Sequence, residues 1–340
     1  MQKQTLVGKS VSELKNMVLE LGMPIFTGAQ ITSWLYEKRV DNFEDMTNIS
    51  KSNREKLALM CETGLVPPEK EIESTDGTVK YLFRLSDGRS IETVFIPDKE
   101  RATLCVSSQV GCKMNCLFCM TGKQRFQRNL TSAEIMNQIL SVPQCAELTN
   151  IVFMGMGEPL DNLDSVLKVT EILTAPWGFA WSPKRITVST VGIKISLMRF
   201  LTESRCQLAV SLHSPDGRRG ELVPAERAFP ASEMIEMLKE HDFSHQRRLS
   251  FEYIMFGGEN DSQEDAEKLA KLLRGLDCRV NLIRYHTIPG VSLKSSSERT
   301  MMIFRDSLNA RGITATIRAS RGEDILAACG MLSSQKNNQL

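Results

Sequence analysis

No apolar run in this 340-residue chain approaches the roughly 20 residues that a helix needs to cross a bilayer, so a membrane-spanning helix is excluded. Charge of one sign is also missing. Lysine and arginine number 42 against 41 aspartates and glutamates, a net charge of +1, which excludes a protein that coats nucleic acid nonspecifically. Any contact with RNA must then come from local patches. Nine cysteines are too few for a disulfide scaffold, and the opening residues Met1 to Lys9 are polar; both point to the cytoplasm, where thiols stay reduced unless chemistry uses them. Internal repeats and low-complexity stretches are absent as well. With 41% hydrophobic residues the chain can bury a substantial core, one large domain with a smaller appendage.

Three capping-box patterns, Ser10 to Glu13, Thr27 to Gln30 and Ser52 to Glu55, predict a helical unit within residues 1–66, its first helix ending at Gly22. VKYLFRL and SIETVFIP flank Ser86-Asp87-Gly88-Arg89 and predict a β-hairpin across 67–97, with Glu92 on its second strand. From about residue 98 apolar strands alternate with amphipathic stretches: TLCVSS, NIVFM, RITVS, QLAVSL, LSFEYIM and RVNLIR against helices near 132–141, 162–174, 231–240, 262–274 and 297–310. Such alternation predicts an α/β fold, a partial (β/α)6 barrel of the TIM type open on one side, with its site at the carboxyl ends of the strands. A last run, ITATIRA, leads into SRGEDILAACGML, the core ends at 330, and the polar tail 331–340 is expected to be disordered.

Cys112, Cys116 and Cys119 form C-x3-C-x2-C in the loop after the first strand. Three thiolates can hold three irons of a 4Fe–4S cube and leave the fourth open, whereas a structural zinc wants a fourth ligand, and no Cys or His lies at finger spacing nearby. Downstream, Gly157 and Glu158 end the second strand in MGMGEP, and Ser189 and Ser211 end the third and fourth, with Leu212 and His213 following. A basic run, Lys123, Arg125 and Arg128 around Phe126, lies beside the cysteines and could meet phosphates or a stacked base.

The cysteine motif followed by a G-E-P segment resembles the radical S-adenosylmethionine superfamily. RATLCVSSQVGC, TGKQRFQRNLT, GMGEPLDN, ITVST, SLHSP, FEYIM and RGEDILAACG narrow the resemblance to the adenine-C2 RNA methyltransferases that act on 23S ribosomal RNA and transfer RNA. It covers residues 10 to 332. It implies a 4Fe–4S cluster on Cys112, Cys116 and Cys119, with S-adenosylmethionine chelated to the open iron and bound by Gly157, Glu158, Ser189, Ser211, Leu212, His213 and His286. His286 stands where relatives often have asparagine, and Met120 where they often have a small residue. The N-terminal unit becomes an RNA-docking module of a monomer, fed electrons by a donor protein such as flavodoxin.

The chemistry implied by the resemblance explains two further cysteines. Carbon 2 of adenine lies between two ring nitrogens and is too electron-poor to attack a methyl sulfonium. Relatives therefore methylate a cysteine, here Cys329, make a carbon radical of its S-methyl group and add that to C2. Cys105 then attacks the sulfur, frees the methylated RNA and leaves a Cys105–Cys329 disulfide, while Glu92 takes the C2 proton. A relative that methylates C8 shares these cysteines. A rival of another class, a noncatalytic zinc-binding RNA module, leaves Cys105 and Cys329 unexplained.

Overall fold

The computed structural model describes residues 3–243 and 249–333. The chain opens with three helices, α1 (Val11–Glu20), α2 (Phe26–Thr32) and α3 (Lys51–Met60). At α1 the expected capping box forms: Glu13 N donates to Ser10 Oγ (3.3 Å), and Ser10 N donates to the Glu13 carboxylate (2.7 Å). Gly22, at φ +66°, then closes the helix as expected, its amide on Leu19 O (2.9 Å) and that of Met23 on Val18 O (2.8 Å). The other two boxes are corrected. Pro24 starts the turn before Thr27, whose amide already bonds Pro24 O (2.9 Å), so Thr27 is buried inside the helix and caps nothing. At α3 the cap is Ser50, two residues before Ser52.

Three antiparallel strands follow, β1 (Lys70–Glu73), β2 (Val79–Arg84) and β3 (Ser90–Asp98). The expected hairpin is β2–β3, paired from Arg84↔Ser90 to Val79↔Phe95. Strand β1 lay hidden in the sequence because KEIE is exposed throughout, a charged edge strand rather than an alternating one. The core runs β4 (Arg101–Cys105), α4 (Ser132–Leu140), β5 (Asn150–Phe153), α5 (Leu163–Thr174), β6 (Ile186–Thr190), α6 (Lys194–Glu203), β7 (Gln207–Ser211), α7 (Ala231–Lys239), β8 (Leu249–Met255), α8 (Gln263–Leu272), β9 (Cys278–Arg284), α9 (Glu298–Ala310) and β10 (Thr314–Ile317). Helix α6 escaped the sequence reading because Ile195 (76% exposed) and Met198 (53%) put apolar residues on its outer face and blur the period.

All ten strands form one sheet in sequence order, β1 to β10. From β4 to β10 every pairing is parallel, while β3 joins β4 antiparallel with Val94 opposite Cys105. The six βα units and a seventh strand are thus the expected open barrel, with the hairpin grown onto its first edge. One face of the parallel strands is apolar: Ile186, Val188, Leu208, Val210, Phe251, Val280 and Leu282 fall at alternate positions and are all fully buried.

The helical unit packs on the outside of this barrel through polar ties to α4 and α5: Ser132 Oγ donates to Gly8 O (2.9 Å), Val66 N to Asn137 Oδ1 (2.7 Å) and Lys168 Nζ to Glu13 (2.6 Å). At the far end the expected tail is corrected in part. Leu332 is buried and the amide of Ser333 donates to Glu92 Oε2 (2.7 Å), so order persists through 333; residues 334–340 lie outside the described residues. Among the described residues no helix is long and apolar enough to cross a membrane.

Candidate active site

At the carboxyl ends of β4 to β8 the barrel holds an open cavity, with about 1,110 Å³ of atom-free space counted out into solvent. Cys105, Cys112, Cys116, Cys119, Gly157, Glu158, Ser189, Ser211, His213 and Cys329 all line it. Residues scattered from 105 to 329 therefore converge, which is the purpose of a barrel whose loops rise from consecutive strands.

The three clustered cysteines sit on a loop held at both ends. Gln109–Val110 pairs with Arg128–Asn129, Leu117 N donates to Leu222 O (2.9 Å), and Met120 N donates to Gly330 O (2.8 Å). Burial pushes the Cys112 thiol up to about 12, and raises Cys116 and Cys119 too, each thiol disfavouring charge on the next. Three buried thiols that destabilise one another's anions are a donor set short of cations, and iron supplies them. Among the described residues no three His, Cys, Asp or Glu side chains gather tightly enough for a single ion, a different requirement from that of a cube, whose irons occupy separate corners.

Opposite lies the strand-end wall. Gly157 has φ +99°, and a Cβ there would come within 2.5 Å of Gln109 Cβ, so only glycine lets the loop pass. Gln109, which the sequence reading missed, is fully buried and organises this corner: its Oε1 accepts from Glu158 N (2.9 Å), and its Nε2 donates to Asn129 Oδ1 (2.8 Å) and Asp161 Oδ2 (2.7 Å). Glu158 accepts from Leu160 N and Val191 N, both at 3.0 Å. Burial nevertheless raises its pKa to about 7 against those bonds. His213, at φ +58°, accepts from Ile254 N at Nδ1 (3.0 Å), and burial drives its pKa down to about 3, a neutral ring. Arg219 is fully buried and donates to Ser211 O (2.9 Å) and Leu212 O (3.0 Å), pinning the fourth strand's end.

Three expected site residues lie elsewhere. Leu212 is fully buried, its carbonyl taken by Arg219. His286 lines a neighbouring chamber, where Nε2 meets Ser320 Oγ at 3.1 Å; Arg318 and Cys329 line both chambers. Glu92 is outside the cavity wall, buried and bound to Ser333 N and Lys80 Nζ (3.4 Å), and burial raises its pKa. Lys80 also reaches Leu326 O (3.4 Å), so this pair grips the segment that carries Cys329. The basic run is largely spent as well: Arg128 is bound by Glu134 (2.7 and 2.8 Å) and Asp87 (2.5 Å), Lys123 donates to Pro289 O (2.7 Å), and Lys113 covers Phe126 at 4.3 Å.

A family model described as the radical SAM superfamily matches residues 106–273, and one described as a ribosomal RNA large subunit methyltransferase N-terminal domain matches residues 4–63. With a probable dual-specificity RNA methyltransferase RlmN of Bacteroides fragilis strain YCH46 the chain shares 58% identity, covering 100% of this chain and 99% of that protein. The dual-specificity RNA methyltransferase RlmN of Desulfotalea psychrophila is 41% identical, covering 99% of this chain and 97% of that protein. The crystal structure of a radical SAM methyltransferase from Sphaerobacter thermophilus superposes with a TM-score of 0.92 at 40% identity, covering 98% of this chain and 100% of that one. Barrel, thiol loop and matches together define the class, the radical S-adenosylmethionine superfamily, whose 4Fe–4S cluster and S-adenosylmethionine are this enzyme's cofactors. Within that class the chain belongs to the RlmN family of dual-specificity RNA methyltransferases.

Proposed function

We propose that this enzyme methylates carbon 2 of an adenine in 23S ribosomal RNA and in transfer RNA, carrying the new carbon on Cys329. The observation that supports this reading is the meeting of Cys105 and Cys329 in the same cavity as the three clustered thiols. An ordinary methyltransferase has no use for two extra cysteines there, and neither has a zinc module.

When bound, the cluster and S-adenosylmethionine supply a methyl group and a carbon radical. Cys112, Cys116 and Cys119 would hold the cluster, with Glu158, Ser189 and Ser211 facing the sulfonium's amino acid and ribose groups. Cys329 is exposed to the cavity, as a thiol that must accept a methyl group and then meet RNA requires. Cys105 is buried and its pKa stands at about 12, raised by burial and then by Cys329, with Arg318 opposing. It thus waits as a thiol and attacks only after the RNA adduct has formed. Glu92 would take the C2 proton once Ser333 lets go of its carboxylate, whose pKa burial holds above the ordinary carboxyl value. His286 would face the RNA rather than S-adenosylmethionine, since it lines the second chamber. The reductant would be a small electron carrier of the flavodoxin kind, and the reduced thiols fit the cytoplasm.

Cys105→Ala tests the reading. The expected outcome is protein purified with RNA joined to Cys329 and turnover halted after roughly one equivalent. Digestion should place the link at C2 of adenine; a link at C8 overturns the assigned carbon, and RNA-free protein with normal turnover overturns the cysteine roles.

A further inference from the structure

Two charged side chains in the cavity lining face each other without a hydrogen bond between them. Glu252, on β8, is 4% exposed; its Oε1 accepts from Asn281 Nδ2 (2.7 Å) and Ser250 Oγ (3.2 Å), while Oε2 has no hydrogen-bond partner. Arg318, the first residue past β10, brings Nη1 within 3.6 Å of that oxygen and 3.6 Å of Met154 Sδ. The contact with the carboxylate is longer than a good N–H···O bond, which runs ~2.7–3.2 Å, and leaves Glu252 Oε2 without one. Both residues line the cavity together with Cys105 and Cys329, and the Arg318 side chain keeps 34% of its surface open. A donor and a buried acceptor that lacks a hydrogen bond stand side by side in the cavity lining. Buried polar atoms left unpaired cost free energy, so a pair of this kind calls for a ligand.

We propose that Arg318 and Glu252 read the edge of the target adenine, Arg318 donating to ring nitrogen N1 and Glu252 Oε2 accepting from the 6-amino group. The inference rests on the reading that C2 of adenine is the acceptor. Along that edge of the base the 6-amino group adjoins N1, as Glu252 adjoins Arg318 in the cavity lining. A base turned out of its stack is recognised through hydrogen bonds of this type. The donor at N1 also draws electron density from C2, the carbon that a carbon radical must reach.

S-adenosylmethionine is the other ligand with polar groups to satisfy. Its ammonium and carboxylate are provided for across the cavity, by Glu158, Ser189 and Ser211 on the loops of β5 to β7, whereas Glu252 and Arg318 belong to β8 and the end of β10. The orientation of Glu252 is fixed from behind. Thr316 Oγ1 donates to Asn281 Oδ1 (3.2 Å), so Asn281 presents its amino group to Glu252 Oε1 and demands an oxygen there. In Glu252→Gln that demand turns the carbonyl away from the cavity and leaves the amino group facing the base, donor against donor.

The test is equilibrium binding of the cluster-loaded protein to a transfer RNA carrying adenosine, or purine riboside without the 6-amino group, at the target position. The wild type should prefer adenosine by a factor on the order of ten to a hundred, the value of one hydrogen bond to a charged group. In Glu252→Gln the two RNAs should bind within about twofold of each other; the ratio within one protein cancels any general loss of loaded enzyme. A wild type that binds both RNAs alike overturns the proposal without recourse to any variant. So does a Glu252→Gln protein that keeps the adenosine preference, or one whose affinity falls for S-adenosylmethionine instead. Failure of the parent reading looks different: the wild type would then leave adenosine unmethylated at C2 in either case.

Discussion

Two loops bring the cysteines together, and they are built in opposite ways. The cluster loop, Val106 to Lys123, is fixed from within the barrel: Cys116 is 8% exposed, Gly157 and Gln109 interlock behind it, and its backbone bonds Leu222. The carrier loop, Arg318 to Ser333, is fixed only around Cys329, which stays exposed. Gly330 O accepts from Met120 N of the cluster loop, and the other moorings lie on the antiparallel edge: in the β1–β2 turn Asp324 accepts from Ser74 Oγ (2.5 Å) and Thr75 N (3.1 Å) and Asp76 accepts from Gly322 N (3.0 Å), while on β3 Glu92 accepts from Ser333 N. On the proposed roles, one loop keeps three thiols on fixed corners and the other hands a carbon from one ligand to another. The antiparallel edge, β1 to β3, therefore anchors the segment that carries Cys329.

The largest effect should come from the fixed loop. Cys116→Ala should remove the cluster and with it all methylation; iron content and the visible spectrum check this, and an unchanged brown protein would contradict the ligand assignment. Loosening the carrier loop should be milder and of a different kind. Asp324→Ala should lower the methylation rate by about tenfold, the scale of a displaced reacting group, while iron content stays at the wild-type level. If iron and rate fell together, the two loops would not be independent.

That contrast also explains what was legible in the sequence. The barrel could be read because its strands are apolar runs, and the cluster loop because three cysteines in eight residues have few other uses. Cys329 and Glu92 were found through resemblance, but their surroundings were not, since Lys80, Asp76 and Ser74 touch the carrier loop from some 250 positions away, as in the Ser74–Asp324 separation of 250. Arg318 and Glu252 looked like ordinary strand residues, because nothing local marks a buried acceptor without a hydrogen bond. The basic run misled for a related reason: spacing shows that Arg128 is charged, and only the fold shows that Glu134 and Asp87 already claim it.

A smaller effect sharpens the comparison at the strand-end wall. Free Glu158 titrates at about 7, above the 4.5 of an unperturbed carboxyl, so its protonated form is favoured by folding and its contribution to stability is lost as pH rises from 4.5 through 7. An ammonium placed against it pulls the pKa back down. Binding of S-adenosylmethionine near pH 7 should then release a fraction of a proton, seen as a buffer-dependent binding heat, and Glu158→Gln should abolish that dependence. No buffer dependence in the wild type would separate Glu158 from the ammonium.

The smallest effect belongs to Arg128, which ties the outgoing end of the cluster loop to the hairpin turn through Asp87 and to the first turn of α4 through Glu134. Its side chain is 27% exposed, so the pairs are screened and their loss in Arg128→Ala should cost about 1 kcal/mol of stability, with iron content kept. Affinity for RNA should hardly change, because the charge is already neutralised. Arg125, exposed on the same loop with no ion pair among the described residues, should behave in the reverse sense: Arg125→Ala leaves thermal stability alone, weakens RNA binding uniformly and reduces its salt slope by about one. Equal salt slopes for the two variants would mean that RNA passes this side of the barrel by.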